Sequence, residues 1–286
     1  MAEQKIWRIL NLGAGVQSTA IYMMMIDGEI EPADVAIFAD TQEEPGAVYD
    51  HLAWLESQGG PPILKGTSGK LGDVLIEGTW TKNKNTRFAS IPAFTSAIEG
   101  DAANRGMTRR QCTYEYKICA VERVIRREVL KLKPRQRIPK DVKINQLFGF
   151  STDEPKRAGN ARIRYEQQMG QQWSVAFPLF DEALWMSRGD CRNYLEGRVP
   201  HRVPRSACVF CPYKSNKEWR ALRDNDPDGW ARAVEVDAAL REDAVAGRDL
   251  DGKLYVHGSC LPLSKVNLGV DQPTLFDLEC EGGCGL

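Results

Sequence analysis

Four clusters in this 286-residue chain carry residue types and spacings that can do chemistry. The first is Gly13-Ala14-Gly15-Val16-Gln17-Ser18-Thr19, small residues followed by two hydroxyls. Small residues let backbone N–H groups close on an anion, and a following helix N-terminus favours negative charge. The second is Asp40-Thr41, with Gln42-Glu43-Glu44 directly after it. The third is Ser151-Thr152-Asp153-Glu154, with Arg157 one helical turn on. Its paired acids can hold a divalent cation or serve as a helix cap and first-turn acid, and its arginine can hold a phosphate. The fourth is Cys208-x2-Cys211-Pro212, two thiols at a spacing that converges on one metal.

The elements that must position these clusters alternate in type. Lys5–Leu12 reads as a strand, Val16–Met25 as a helix, Asp34–Asp40 as a strand and Val48–Gln58 as a helix. Pro62–Lys65 reads as a third strand, Leu71–Glu77 as a short helix, Glu115–Lys133 as a basic amphipathic helix and Val142–Phe150 as another strand. Trp173–Phe180 reads as extended, and 187–197, 217–223 and 229–242 as helical. Such alternation implies an α/β fold, a doubly wound, mostly parallel sheet whose ligand sits at the carboxyl ends of its strands. The glycine turn and Asp40 both fall there. Residues 1–185 are expected to form this domain, with 78–110 as a loop or lid insertion, and 186–286 a helical, Cys-rich region packed on it. Trp80, Arg87, Phe88, Arg105, Arg109 and Arg110 on and after that insertion suit either a nucleic-acid contact or, for the aromatics, a hydrophobic lid.

Net charge is −1, so the chain as a whole is no polycation. The charge is uneven, however. Residues 1–60 hold two Lys/Arg against ten Asp/Glu, whereas 101–170 hold seventeen Lys/Arg. The basic stretch is either a set of solvated helix faces or a surface for a polyanion. Met1-Ala2-Glu3-Gln4-Lys5 leads straight into a strand-like run and no stretch is long and apolar enough to span a bilayer, so the expectation is a cytoplasmic protein. Its eight cysteines are then reduced, metal-bound or catalytic rather than disulfide-bonded. Three histidines, His51, His201 and His257, argue against histidine-based hydrolysis.

The glycine turn lacks the lysine that a Walker loop places before its hydroxyl, and Ser18 stands where a dinucleotide fingerprint needs its third glycine. It resembles instead the Ser-Gly-Gly-x-Asp-Ser loop of ATP pyrophosphatases, with Gly13 for Ser, Ala14 for Gly and Gln17 for Asp. Four further stretches strengthen that resemblance: Asp40-Thr41-Gln42-Glu43-Glu44 with Tyr49, Arg110-Gln111-Cys112-Thr113 before Lys117, Gly149 to Glu154 before Arg157, and Ser206-Ala207-Cys208-Val209-Phe210-Cys211-Pro212-Tyr213. With the tail Cys280-Glu281-Gly282-Gly283-Cys284, they are similar to a bacterial and phage branch named after phosphoadenosine phosphosulfate reductase. That branch includes the ATP pyrophosphatase subunits of DNA phosphorothioation systems.

The resemblance implies an adenine nucleotide α-hydrolase-like fold and cleavage of ATP between its α and β phosphates. An acceptor oxygen is adenylated, and a sulfur nucleophile then displaces AMP. It places Gly13, Ala14, Gly15, Gln17, Ser18 and Thr19 on the pyrophosphate, and Asp40 and Thr41 on Mg2+ or the ribose. Ser18, Asp40, Asp153 and Arg157 become the candidate catalytic residues. It also implies a [4Fe-4S] cluster on Cys112, Cys208 and Cys211, with Cys284, Cys280 or a non-protein ligand in the fourth position; zinc and free thiols are the alternatives. The implied partners are a nucleic-acid acceptor, DNA ahead of tRNA, and a sulfur donor such as a cysteine desulfurase. Sulfonucleotide reduction through a tail cysteine, and a metal-containing nucleic-acid-binding module without catalysis, are the competing functions.

Overall fold

The structure is a computed structural model that describes residues 4–77, 91–241 and 252–269. At its centre lies a five-stranded parallel sheet in the order β3-β2-β1-β6-β7, built from β1 (Lys5–Asn11), β2 (Val35–Asp40), β3 (Ile63–Thr67), β6 (Val142–Phe148) and β7 (Trp173–Ala176). Alternation along the strands assigns the two faces. Leu10, Ala36, Phe38 and Leu147 face α1 (Val16–Ile26), α2 (Gly46–Ser57) and α6 (Arg188–Leu195). Ile9, Val35, Ile37, Ile144 and Phe148 face α4 (Cys119–Val124) and α5 (Pro155–Arg162). Helices cover both faces, so the sheet is doubly wound, as the alternation implied.

Local chemistry sets the helix ends. α1 is buried on every side, starts at Gly15 and stops where Gly28 takes φ 78°. α6 and α7 (Asn216–Asn225) open with reciprocal capping boxes, Ser187 with Asp190 and Ser215 with Glu218. α8 (Pro227–Ala239) opens with Asp226 bonded to the N–H of Gly229 and proline in the first turn. α4 is flanked by wide π-helical turns over Thr113–Ile118 and Ile125–Val129, making one long helix that ends before the expected Lys133.

A third core joins α3 (Leu71–Glu77), α7 and α8 around the fully buried Trp219, together with Cys208, Val209 and Phe210. Beside it lies a small antiparallel sheet of β4 (Phe94–Ser96), β5 (Gly106–Met107) and β8 (Lys253–Tyr255), which joins that core through Leu254 and packs Phe94 and Tyr255 with Cys260 in a cluster of its own. The second half of the expected 78–110 loop is therefore structured, and residue 94 pairs with residue 255. Strands of two and three residues are too short to show a period of two, which is why the sequence reads as loop there. Trp80, Arg87 and Phe88 lie outside the described residues, as do Cys280 and Cys284. The extended run from Trp173 ends at Ala176, where Pro178 opens a 3-10 turn. No helix among the described residues is long and apolar enough to cross a membrane.

Candidate functional site

In this strand order the chain leaves β1 and β6 in opposite directions, which opens a crevice at their carboxyl ends. A cleft occupies that point. Asn11, Leu12 and the glycine turn form one wall, Phe148, Gly149 and Phe150 the other, and Phe38 and Ala39 from β2 close the base. Gly149 is required there: a Cβ would stand 2.9 Å from the backbone N of Ser18 and 3.0 Å from its Cα. Gly15 is free of such limits, since a Cβ on it would meet nothing within 4 Å. Ala14 is buried with φ 53°, the left-handed region where the resembled loop carries glycine.

The candidate residues divide between this cleft and its surroundings. Gly13, Gly15, Gln17, Ser18 and Arg157 line it. Ser18 Oγ donates to the Gly15 carbonyl at 3.2 Å. Gln17 Nε2 donates to Glu154 at 3.1 Å, and Glu154 also pairs with Arg157, whose guanidinium lies 4.3 Å from the Phe150 ring centre. A carboxylate at position 17 would face Glu154 with like charge, so the amide suits its neighbour. Thr19 turns the other way: fully buried, its hydroxyl lies 2.9 Å from His51 Nε2, and His51 Nδ1 meets His201 at 2.8 Å. Burial, and then the neighbouring His201, push His51 down to about 4.

The acids are committed beside the cleft. Asp40 accepts the Gln42 N–H at 2.7 Å and the Tyr49 hydroxyl at 2.9 Å. Burial, and then Asp40, push the Tyr49 phenol up, so it remains a donor. Asp153 accepts the backbone N–H of Arg188 at 2.8 Å and so anchors α6. Arg188 and Arg205 themselves line the cleft and were not picked out by sequence reasoning. Arg188 lies inside a capping box and Arg205 in a proline-rich loop, and neither context signals a phosphate site.

Thr41 belongs to a second cavity, lined with Cys112, Cys208, Cys211, Thr113, Lys117 and Arg110 among others. Three of the four candidate ligand cysteines therefore line one cavity, from positions about a hundred residues apart in sequence. Thr41 Oγ1 lies 3.2 Å from Cys208 Sγ. Burial, and then the Glu44 carboxylate, push the Cys208 thiol well up; Lys117 and Thr41 pull the other way. Glu44 is buried, pairs with Lys117 at 3.3 Å and accepts Ser206 Oγ at 3.3 Å. No group of three or more His, Cys, Asp or Glu among the described residues is already gathered as a metal site. Lys117 lines both cavities, and Ser206 lines the first, two residues before Cys208. The glycine-turn cleft and the thiol cavity are thus neighbours that share a wall.

Of the other cysteines, Cys191 is fully buried in α6, and burial first, then Asp190 and Asp153, push its thiol up to about 12, which suits a core residue. His257 is buried between Ser259 and Asn216, each at 2.8 Å, and does not touch the cleft.

No family model matches the chain, and no curated protein matches it. Among solved structures it is similar to phosphoadenylyl-sulfate (PAPS) reductase from Candida auris in its phosphate complex, at 14% identity over 70% of this chain and 76% of that one, with a TM-score of 0.36.

Proposed function

We propose that the chain is an ATP pyrophosphatase that adenylates an acceptor for sulfur insertion, with DNA as the acceptor in phosphorothioate modification. The observation that supports it is the shared wall: a phosphate-type cleft and a three-cysteine cavity meet at Lys117. Adenylation followed by sulfur attack needs those two compartments side by side.

In this reading the N–H groups around Gly13 and Gly15 and the Ser18 hydroxyl receive the departing pyrophosphate, whose concentrated charge they stabilise. Arg157 and Arg188 hold phosphate oxygens. Mg2+ neutralises part of the same charge, and the acids nearest to hand are Asp40, Asp153 and Glu154. Phe148 and Phe150 supply the apolar wall of the cleft against an adenine ring. Three cysteines line the second cavity, where the buried Thr113 hydroxyl has no partner. They are not gathered as a metal site in this arrangement, so they would have to close in to hold a thiolate-bound group. Cys112, Cys208 and Cys211 would hold a [4Fe-4S] cluster or zinc, and binding must displace the Cys208 proton. When bound, a cluster with three cysteine ligands supplies an iron open to a sulfur ligand. A cysteine desulfurase is the matching donor.

Pyrophosphate release from Mg-ATP, measured with a DNA acceptor and a sulfide source present, tests the proposal. Gly15→Asp should abolish it while the circular dichroism spectrum stays unchanged, because the new side chain has room to fold but places a carboxylate beside the phosphates. Thioredoxin-dependent sulfite release that needs Cys284 would replace this reading with sulfonucleotide reduction.

A further inference from the structure

A second, wider cleft opens beside the glycine turn, on the α1 side of the sheet. Val16, Arg188, Pro204 and Arg205 line both, so the two are continuous at the N-terminus of α1. Arg192, Arg202 and Lys214 extend the cationic lining away from the loop. Lys214 is the unusual member. Its residue is 7% exposed, and its ammonium lies 5.9 Å from the Trp219 ring centre. Glu218 feels its charge, yet that carboxylate is bound to Arg205 at 2.5 Å and to the Ser215 cap of α7. Of the other acids of the cleft, Asp226 accepts the N–H groups of Gly46 and Gly229, while Asp50 and Glu196 are exposed at its lining. Lys214 is the least exposed of these cations and has no carboxylate within ion-pair distance among the described residues; an anion in the cleft would supply that partner.

We propose that this cleft is a second phosphate-anion site, which takes inorganic pyrophosphate as it leaves the loop. The inference rests on the reading of the first cleft as the place where ATP is cut between its α and β phosphates. The leaving group then lies against Val16, and Arg188 and Arg205 hand it outward to Lys214 and Arg202.

Calorimetric titration of the full chain with inorganic pyrophosphate tests this. The wild type should take two equivalents. Lys214→Met should lose one and leave the affinity of the other within twofold, with thermal stability equal or higher because a buried charge is gone. Arg202→Ala, at an exposed position, should weaken the same equivalent at least fivefold and serves if Lys214→Met fails to fold. Gly15→Asp should lose the other equivalent. A single equivalent that Gly15→Asp removes and Lys214→Met does not would overturn the second site and leave the loop reading standing. A single equivalent removed by Lys214→Met alone would keep the cleft and sink the loop reading. A short single-stranded oligonucleotide that binds through Lys214 where pyrophosphate does not would reassign the cleft to the acceptor.

Discussion

The two cavities that meet at Lys117 are built on different principles. The glycine-turn cleft is built around backbone: a contiguous seven-residue turn, one helix N-terminus and a glycine on the adjacent strand end. The thiol cavity is mostly side chain, drawn from residues as far apart as Thr41, Cys112 and Cys211. A backbone cradle tolerates changes of residue type, provided that its close approaches survive. Under the function proposed above, that is how Gly13, Ala14 and Gln17 can stand where the resembled loop carries other residues. A side-chain cavity has less tolerance, because its lining depends on residue type at each position.

The contrast can be broken or sharpened by perturbing each side. The largest effect is expected at the junction. Lys117→Met strands the buried Glu44 carboxylate and should cost about 3–5 kcal/mol in chemical denaturation, while the double variant with Glu44→Gln should recover most of it. Recovery of nothing would mean that the pair does not act as a unit. Next is Gly149→Ala, which forces backbone against backbone and should cost about 2–3 kcal/mol together with nucleotide affinity. A full-affinity, fully stable Gly149→Ala protein would refute the backbone account of the cleft.

A smaller effect comes from acid. Burial holds His51, beneath the loop, near 4, and burial followed by the Arg105 charge holds His257, in the third core, near 4 as well. The ordinary value is about 6.5, so the unfolded chain takes up protons first as pH falls. Stability from each group is complete above about 6.5 and is lost as pH drops toward 4, by about 2 kcal/mol each. Denaturant midpoints at pH 7 and pH 4.5 measure the sum, and His51→Phe should remove roughly half of the pH dependence. The smallest change is Ala14→Gly. It relieves a left-handed alanine but gives up a buried methyl, two terms of about 1 kcal/mol that oppose, so the midpoint should move by less than about 0.5 kcal/mol. A loss of about 1.5 kcal/mol or more would show that the side chain, not the backbone, sets the turn.

The same contrast explains what could be read from the amino-acid order. β1, α1, β2 and α3 are legible because each is a local pattern: an apolar run, a small-residue turn, a helical stripe. The glycine turn at the end of β1 is local too, and with it the strand end at which the cleft opens. The destinations of Thr19 and Asp40 were not legible. A hydroxyl beside a phosphate loop points into the cleft or into the core depending on what α2 brings beneath it, and here α2 brings His51. Asp40 faces its own turn because Tyr49 and the Gln42 N–H claim it. Arg188 and Arg205 reach the cleft through tertiary placement alone. The convergence of Cys112 with the 208–211 turn was expected from a family resemblance, and no spacing rule joins residues so far apart.

The pairing of β1 with β6 has a consequence for how the chain is made. Lys5 to Asn11 lie beside Val142 to Phe148 in continuous register, and β1 to β3 form a parallel unit on the other side. On the ribosome that unit is finished at Thr67, but its inner edge stays open until β6 has been synthesised, roughly 80 residues later. At about 5–20 residues per second this leaves an unpaired, largely apolar strand edge waiting for several seconds. Nascent chains halted before Val142 should therefore recruit chaperones strongly, and those halted beyond Ala176 should not, since by then the central strand has its second neighbour.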